Sequence, residues 1–146
     1  MRKLALELWS ELYFTSRDAF AIICTSERKR YYIMKKFTEQ EIAELKKQAK
    51  KYIPGRVDYY AVQMHVSYGR IAIRCQKTRW GSCSQKGNLN FNCLLMKLPP
   101  EIIDYVVVHE LCHRLQMNHS SKFWAEVEKI LPDYKKHRKW LKGFRF

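Results

Sequence analysis

Three histidines and a glutamate fall within one short stretch, His109-Glu110-Leu111-Cys112-His113-Arg114-Leu115-Gln116-Met117-Asn118-His119. Histidines four residues apart on an α-helix share a face, offset by about 40° with Cβ atoms roughly 5–6 Å apart. His109 and His113 can therefore reach one cation at Zn–N distances of about 2.0–2.1 Å. Glu110 projects about 100° further round the helix, beside the metal without having to ligate it. That is the place for a general base acting on a metal-activated water.

Catalytic zinc usually takes three protein ligands and keeps a fourth position open. His119 supplies the third ligand. In an unbroken helix it would lie about 15 Å along the axis from His109 and off its face, so the helix has to end between them. Asn118 offers a stop, because asparagine tolerates the left-handed conformation that closes many helices. Glu126 and Glu128 are the alternative third ligands, but neither explains a histidine after the helix stop. A chance H-E-x-x-H in a chain of this composition is expected only about 0.01 times. The competing reading, two histidines that cap or fill a helix without metal, is correspondingly weak.

The elements that must hold these groups can be read from the flanks. Leu98-Pro99-Pro100-Glu101 can open a helix, since proline is tolerated in the first turn. Ile102 to Val108 is rich in β-branched residues, yet the length of the pattern and its flanks favour a helix. Being apolar nearly all round, it should be the buried central helix. After His119, Ser120 can cap a helix carrying Phe123, Trp124, Val127 and Ile130, which Pro132 ends. A last basic, aromatic helix is predicted from Asp133 to about Lys142.

Upstream, Thr38-Glu39-Gln40-Glu41 is a capping-box pattern, predicting a helix to about Tyr52. Pro54-Gly55 should break the chain, and a second helix should run from Arg56 to His65. Ile71 to Cys75 alternates as a strand, and Asn88 to Met96 alternates again as a half-buried strand. Thr78-Arg79-Trp80-Gly81-Ser82-Cys83-Ser84 between them reads as a packed loop. At the front, Ala19–Thr25 and Tyr31–Lys36 resemble a β-hairpin, while Leu4, Leu6, Leu8 and Leu12 fit a helix or a strand. Mixed β and α elements followed by helices give an α+β fold.

The 146 residues are enough for one domain with a real core. We read residues 1–37 as a short β-rich part and 38–146 as a catalytic core. No stretch approaches the roughly 18 apolar residues of a membrane span. Glu7 and Glu11 interrupt what would be the apolar region of a signal peptide, so the expected location is cytoplasmic. Cys24, Cys75, Cys83, Cys93 and Cys112 are odd in number and include no C-x-x-C pair, which argues against a disulfide framework. Cys112, facing away from the histidines, reads as a core residue. The net charge of +14 would attract acidic partners. Its lysines are mostly scattered pairs, as on solvated helix faces, with one denser cluster from Lys135 to Arg145.

Thr78-Arg79-Trp80-Gly81-Ser82-Cys83, Gly87-Asn88-Leu89-Asn90, Pro99, Asp104 to His113, Asn118-His119-Ser120 and Phe123-Trp124 together resemble the YgjP-like family. That family comprises predicted zinc-dependent metallopeptidases related to the WLM and SprT-like proteins. The resemblance covers roughly Tyr52 to Leu141. It departs at the front, where the residues before Tyr52 stand in place of a longer β-rich region. The resemblance implies a zincin-like fold, a small antiparallel sheet against a buried H-E-x-x-H helix and C-terminal helices. It also implies zinc ligands at His109, His113 and His119, Glu110 as general base, and a peptide or protein substrate. The histidine spacing equals that of metzincins, but Gln116 stands where those enzymes have a turn glycine.

By analogy with zinc peptidases of this plan, an extended substrate would lie along an edge strand, for which Asn88–Met96 is nominated. Arg79 or a tyrosine is a candidate to stabilise the oxyanion, although Arg79 could equally pair with Asp104 or another buried carboxylate. The alternative function is a basic nucleic-acid-associated protein with a structural or inactive zinc site. Steep weakening of binding with salt would mark it.

Overall fold

A computed structural model describes residues 31–32 and 37–145. The capping box at Thr38 forms. The Glu41 N–H donates to Thr38 Oγ1 at 3.2 Å, and the Thr38 N–H donates to Glu41 Oε2 at 2.8 Å. The helix it opens, α1, runs Glu39–Met64 without interruption and contains Pro54, so the expected break at Pro54-Gly55 and the separate helix from Arg56 do not occur. An internal proline removes one helical hydrogen bond, at a cost of about 3 kcal/mol. The carbonyl it strands belongs to Lys50, which is exposed and open to water. Against that cost stands the buried stripe Leu45, Ala49, Ile53, Val57, Tyr60, Ala61 and Met64, which spans the proline and keeps the helix in one piece. His65 closes it as the C-cap, in the left-handed region at φ 53°.

The sheet has the order β2–β4–β3, with β2 Ile71–Arg74, β3 Gly81–Cys83 and β4 Leu89–Asn92. β2 and β4 are parallel, pairing Ile71 with Leu89 and Arg74 with Asn92. β3 and β4 are antiparallel, pairing Gly81 with Phe91 and Cys83 with Leu89. The sheet is therefore mixed, not antiparallel throughout, and the supposed loop 78–84 contributes a strand. The strand expected over Asn88–Met96 ends at Asn92. There the side chain accepts from the Leu94 N–H at 3.1 Å and donates to the carbonyls of Gln76 and Arg79 at 2.7 and 3.1 Å. These bonds turn the chain into a buried 3-10 turn, Cys93–Lys97. Because β4 is the central strand, both its edges are already paired, and it cannot take an added strand.

Helix α2, Pro100–Cys112, begins with proline at its first position and buries Ile102, Ile103 and Tyr105 to Val108, then Glu110 to Cys112. α1 is tied to it by Arg56, whose Nε and Nη2 donate to Asp104 at 2.7 Å each, with the Tyr60 hydroxyl donating to the same carboxylate at 3.0 Å. Asp104 thus pairs with Arg56, not with Arg79. The chain continues into α3, Ser121–Ile130, and α4, Tyr134–Lys142. Ser120 occupies the N-cap of α3, but its side chain makes no cap hydrogen bond. The last element, β5 Phe144–Arg145, pairs parallel with β1 Tyr31–Tyr32. The remainder of the proposed N-terminal hairpin, and the Leu4–Leu12 segment, lie outside the described residues. Among the described residues no helix is long and apolar enough to cross a membrane. The architecture is α+β, with α2 packed between α1, β3 and the two C-terminal helices.

Candidate metal centre and active site

α2 stops sooner than the sequence suggests. Its last helical residue is Cys112, with His113 as C-cap at φ −65°. Asn118 is not the stop and does not adopt the left-handed region, since among the described non-glycine residues only His65 has positive φ. The stop is made by backbone bonds from Arg114 to Leu111 and from Leu115 and Gln116 to Cys112, 2.9 Å each. They fold the chain back so that His119 returns to the helix end.

The result is a triangle of imidazoles. Ring centroids lie 5.2 Å apart for His109 and His113, 4.9 Å for His109 and His119, and 4.8 Å for His113 and His119. One ring nitrogen from each lies within 4.8 Å of the others. The Nε2 atoms of His109 and His119 approach to 3.0 Å, near the roughly 3.3 Å that two zinc bonds at a tetrahedral angle would set. His113 Nδ1 faces the Gln116 carbonyl at 3.2 Å, which assigns that nitrogen the proton and leaves Nε2 free to ligate. His109 Nδ1 is buried and has no hydrogen-bond partner among the described residues. Its ring is oriented by packing against Tyr105, Phe123 and Trp124. Burial, followed by the neighbouring imidazoles, lowers the His109 pKa to about 3, so it is neutral at physiological pH. Three convergent imidazoles are a donor set suited to a divalent transition metal.

Phe123 forms the floor of the triangle. Its fully buried ring lies 4.9, 4.7 and 4.8 Å from the rings of His109, His113 and His119. Truncating it leaves a cavity beneath all three. Phe123→Ala is expected to lower stability by about 3–5 kcal/mol and to weaken metal binding about 10–100-fold, as losing outer support does. Chemical denaturation and a competitive chelator titration would read the two effects.

Glu110 is buried, at 6 % exposure, and its carboxyl meets strand β3. A Cβ on Gly81 would fall 2.7 Å from Glu110 Oε1 and 2.8 Å from its Cγ, so only glycine lets the strand pass this close. Burial pushes the Glu110 pKa up to about 8, opposed by the Arg79 charge. A carboxyl poised near neutrality has the proton affinity a general base needs. Gly81→Ala is expected to keep the fold, displace Glu110 and reduce turnover about 100-fold, the scale of a 1 Å misplacement. Circular dichroism and steady-state kinetics on the metal-loaded variant would check this.

The other candidates sort clearly. Glu126 and Glu128 point to cations, Lys129 Nζ at 2.7 Å and Lys135 Nζ at 3.5 Å, and neither joins the histidine cluster. Cys112 is fully buried. Arg79 is exposed and close enough to favour the charged form of Glu110. Sequence reasoning missed Tyr105 and Arg138, which line a cavity against His109 and His119. Tyr105 stands four residues before His109 on α2, a spacing that could have found it, whereas Arg138 comes from α4 and left no such signal.

A family model described as YgjP-like, metallopeptidase domain, matches residues 23–144. The chain belongs to the YgjP-like family. The match starts ahead of Tyr52, so the family pattern reaches further forward than the motifs alone indicated. Membership makes this YgjP-like chain a peptidase, a hydrolase that works with a metal ion, and the histidine triad could bind one. The fold is similar to two metallopeptidase zymogens known from crystal structures. Abylysin of Pyrococcus abyssi is 24% identical, with a TM-score of 0.56 over 61% of this chain and 90% of that one. Jannalysin of Methanocaldococcus jannaschii is 21% identical, with a TM-score of 0.54 over 61% of this chain and 92% of that one. No curated protein sequence matches the chain.

Proposed function

We propose that this chain is a zinc-dependent peptidase, with His109, His113 and His119 as metal ligands and Glu110 as general base. The convergence of three imidazoles beside a buried carboxyl carries the reading. Among the described residues no fourth histidine, cysteine or carboxylate joins the cluster, which favours a catalytic site over a closed structural one. Zinc would supply Lewis acidity, lowering the pKa of a water toward about 7 and polarising the scissile carbonyl.

Glu110 accepts the proton of the attacking water and passes it to the leaving nitrogen. β3 takes over the role first given to Asn88–Met96. It is an edge strand of the three-stranded sheet, and Gly81 brings it against Glu110. An extended peptide adding to that edge by main-chain hydrogen bonds would pass the carboxyl.

The test is cleavage of unstructured polypeptide by zinc-loaded protein, with fragments read by mass spectrometry. Loss of cleavage with a zinc chelator and its return with added zinc support the reading. Fragments that persist in chelator, or zinc-loaded protein that cleaves no peptide, argue against it.

A further inference from the structure

A cavity of about 460 Å³ opens beside the histidine triad, with His109 and His119 at one end, within the size range of ligand sites. Trp80, Tyr105 and Trp124 form its aromatic walls. α4 contributes Arg138, Leu141 and Lys142. The two cations are four residues apart on one helix, so they share a face.

Several cations of α3 and α4 are already paired. Lys129, Lys135 and Lys136 pair with Glu126, Glu128 and Asp133 on the solvent side. Arg138 and Lys142 have no carboxylate partner among the described residues. Instead, the Arg138 guanidinium lies 4.1 Å over the Trp124 ring. That ring is itself stacked on Tyr134, at 5.4 Å and 12°, and on His119, at 5.7 Å and 28°. The stack fixes the planar fork before any ligand arrives, and a carboxylate can accept from it in bidentate fashion. A half-buried guanidinium between aromatic walls is also less screened than one in open water.

Resting on the peptidase reading of the triad, we propose that Arg138, assisted by Lys142, makes this cavity a carboxylate-recognising specificity pocket. The preferred substrates then carry a carboxylate next to the scissile bond, either an acidic side chain or a free C-terminus. The aromatic walls take the aliphatic part of that residue, and the cationic end takes its charge. Neutral residues would leave the half-buried guanidinium without an anionic partner.

The test measures binding apart from cleavage. Fluorescein-labelled peptides matched except for Glu, Gln or Lys beside the central bond, each with a free or an amidated C-terminus, are titrated by anisotropy into zinc-loaded Glu110→Gln protein. A preference of about 10–100-fold for the carboxylate, the scale of a hydrogen-bonded charge pair, is expected. The Glu/Gln arm and the free/amide arm show which carboxylate is read. The preference should collapse in Arg138→Gln, reverse toward lysine peptides in Arg138→Glu, and survive Lys47→Gln, which removes the same charge from the exposed face of α1. A preference unchanged in both Arg138 variants, or lost equally in Lys47→Gln, overturns the proposal. Carboxylate preference in binding without cleavage by the parent would sink the peptidase reading and leave the pocket standing.

Discussion

Replacing any one of His109, His113 or His119 by alanine is expected to weaken zinc binding by far more than the roughly 10–100-fold of losing an outer-shell partner. Each contributes one of only three imidazoles in the cluster, and two nitrogens cannot hold zinc in the tetrahedral arrangement it adopts. Glu126→Gln and Glu128→Gln should leave affinity unchanged, because those carboxylates face Lys129 and Lys135. The consequence extends to stability, since a metal bound only by the folded state stabilises it by mass action. Parent protein should therefore gain in Tm on adding zinc, and the three histidine variants should not. A titration against a chromophoric chelator, with thermal melts alongside, would check both. A histidine variant that keeps parental affinity would remove that residue from the ligand set.

Glu110→Gln is expected to move activity and stability in opposite directions. The variant keeps the shape of the side chain but cannot take a proton, so kcat should fall by about 10²–10⁴-fold with zinc still bound. Stability follows from the raised pKa, about 8 in the fold against 4.5 for the free group. A group with a raised pKa is fully favourable below its unfolded value and loses that contribution as pH rises through the folded one. The metal-free parent therefore loses stability between about pH 4.5 and 8, where the unfolded chain ionises this carboxyl while the fold still holds it protonated, by a few kcal/mol in order of magnitude. Glutamine removes this penalty, so the metal-free variant should be the more stable protein at pH 8 and equal to the parent near pH 4. His109 acts from the other side. Its folded pKa, about 3 against 6.5, costs the metal-free protein stability as pH falls below 6.5. Urea denaturation across this pH range, with chelator present, separates the two groups.

The histidine cluster was legible because it is local: two histidines one helical turn apart with a third past a forced stop. The nature of that stop was not, since Asn118 looked suitable and the bonds that end α2 come from Arg114, Leu115 and Gln116. α1 shows how burial overrides a local signal. Pro54-Gly55 is a strong breaker in isolation, but Ile53 and Val57 on either side are fully buried. The apolar alternation of Leu89, Phe91, Cys93 and Leu95 imitated one strand because a buried 3-10 turn also hides Cys93 and Leu95. Only Asn92, which binds backbone on both sides, marks the change. The parallel pairing of β2 with β4, and the passage of β3 against Glu110, are non-local and leave almost no trace in sequence. Gly81 is the one visible sign of that close approach, and within Thr78–Ser84 its sequence context resembles a loop.

The most direct test of the account is elemental mass spectrometry on tag-free protein purified without chelator. About one zinc per chain is expected in the parent and little in His113→Ala. A folded parent that carries no metal and also refuses added zinc would contradict it.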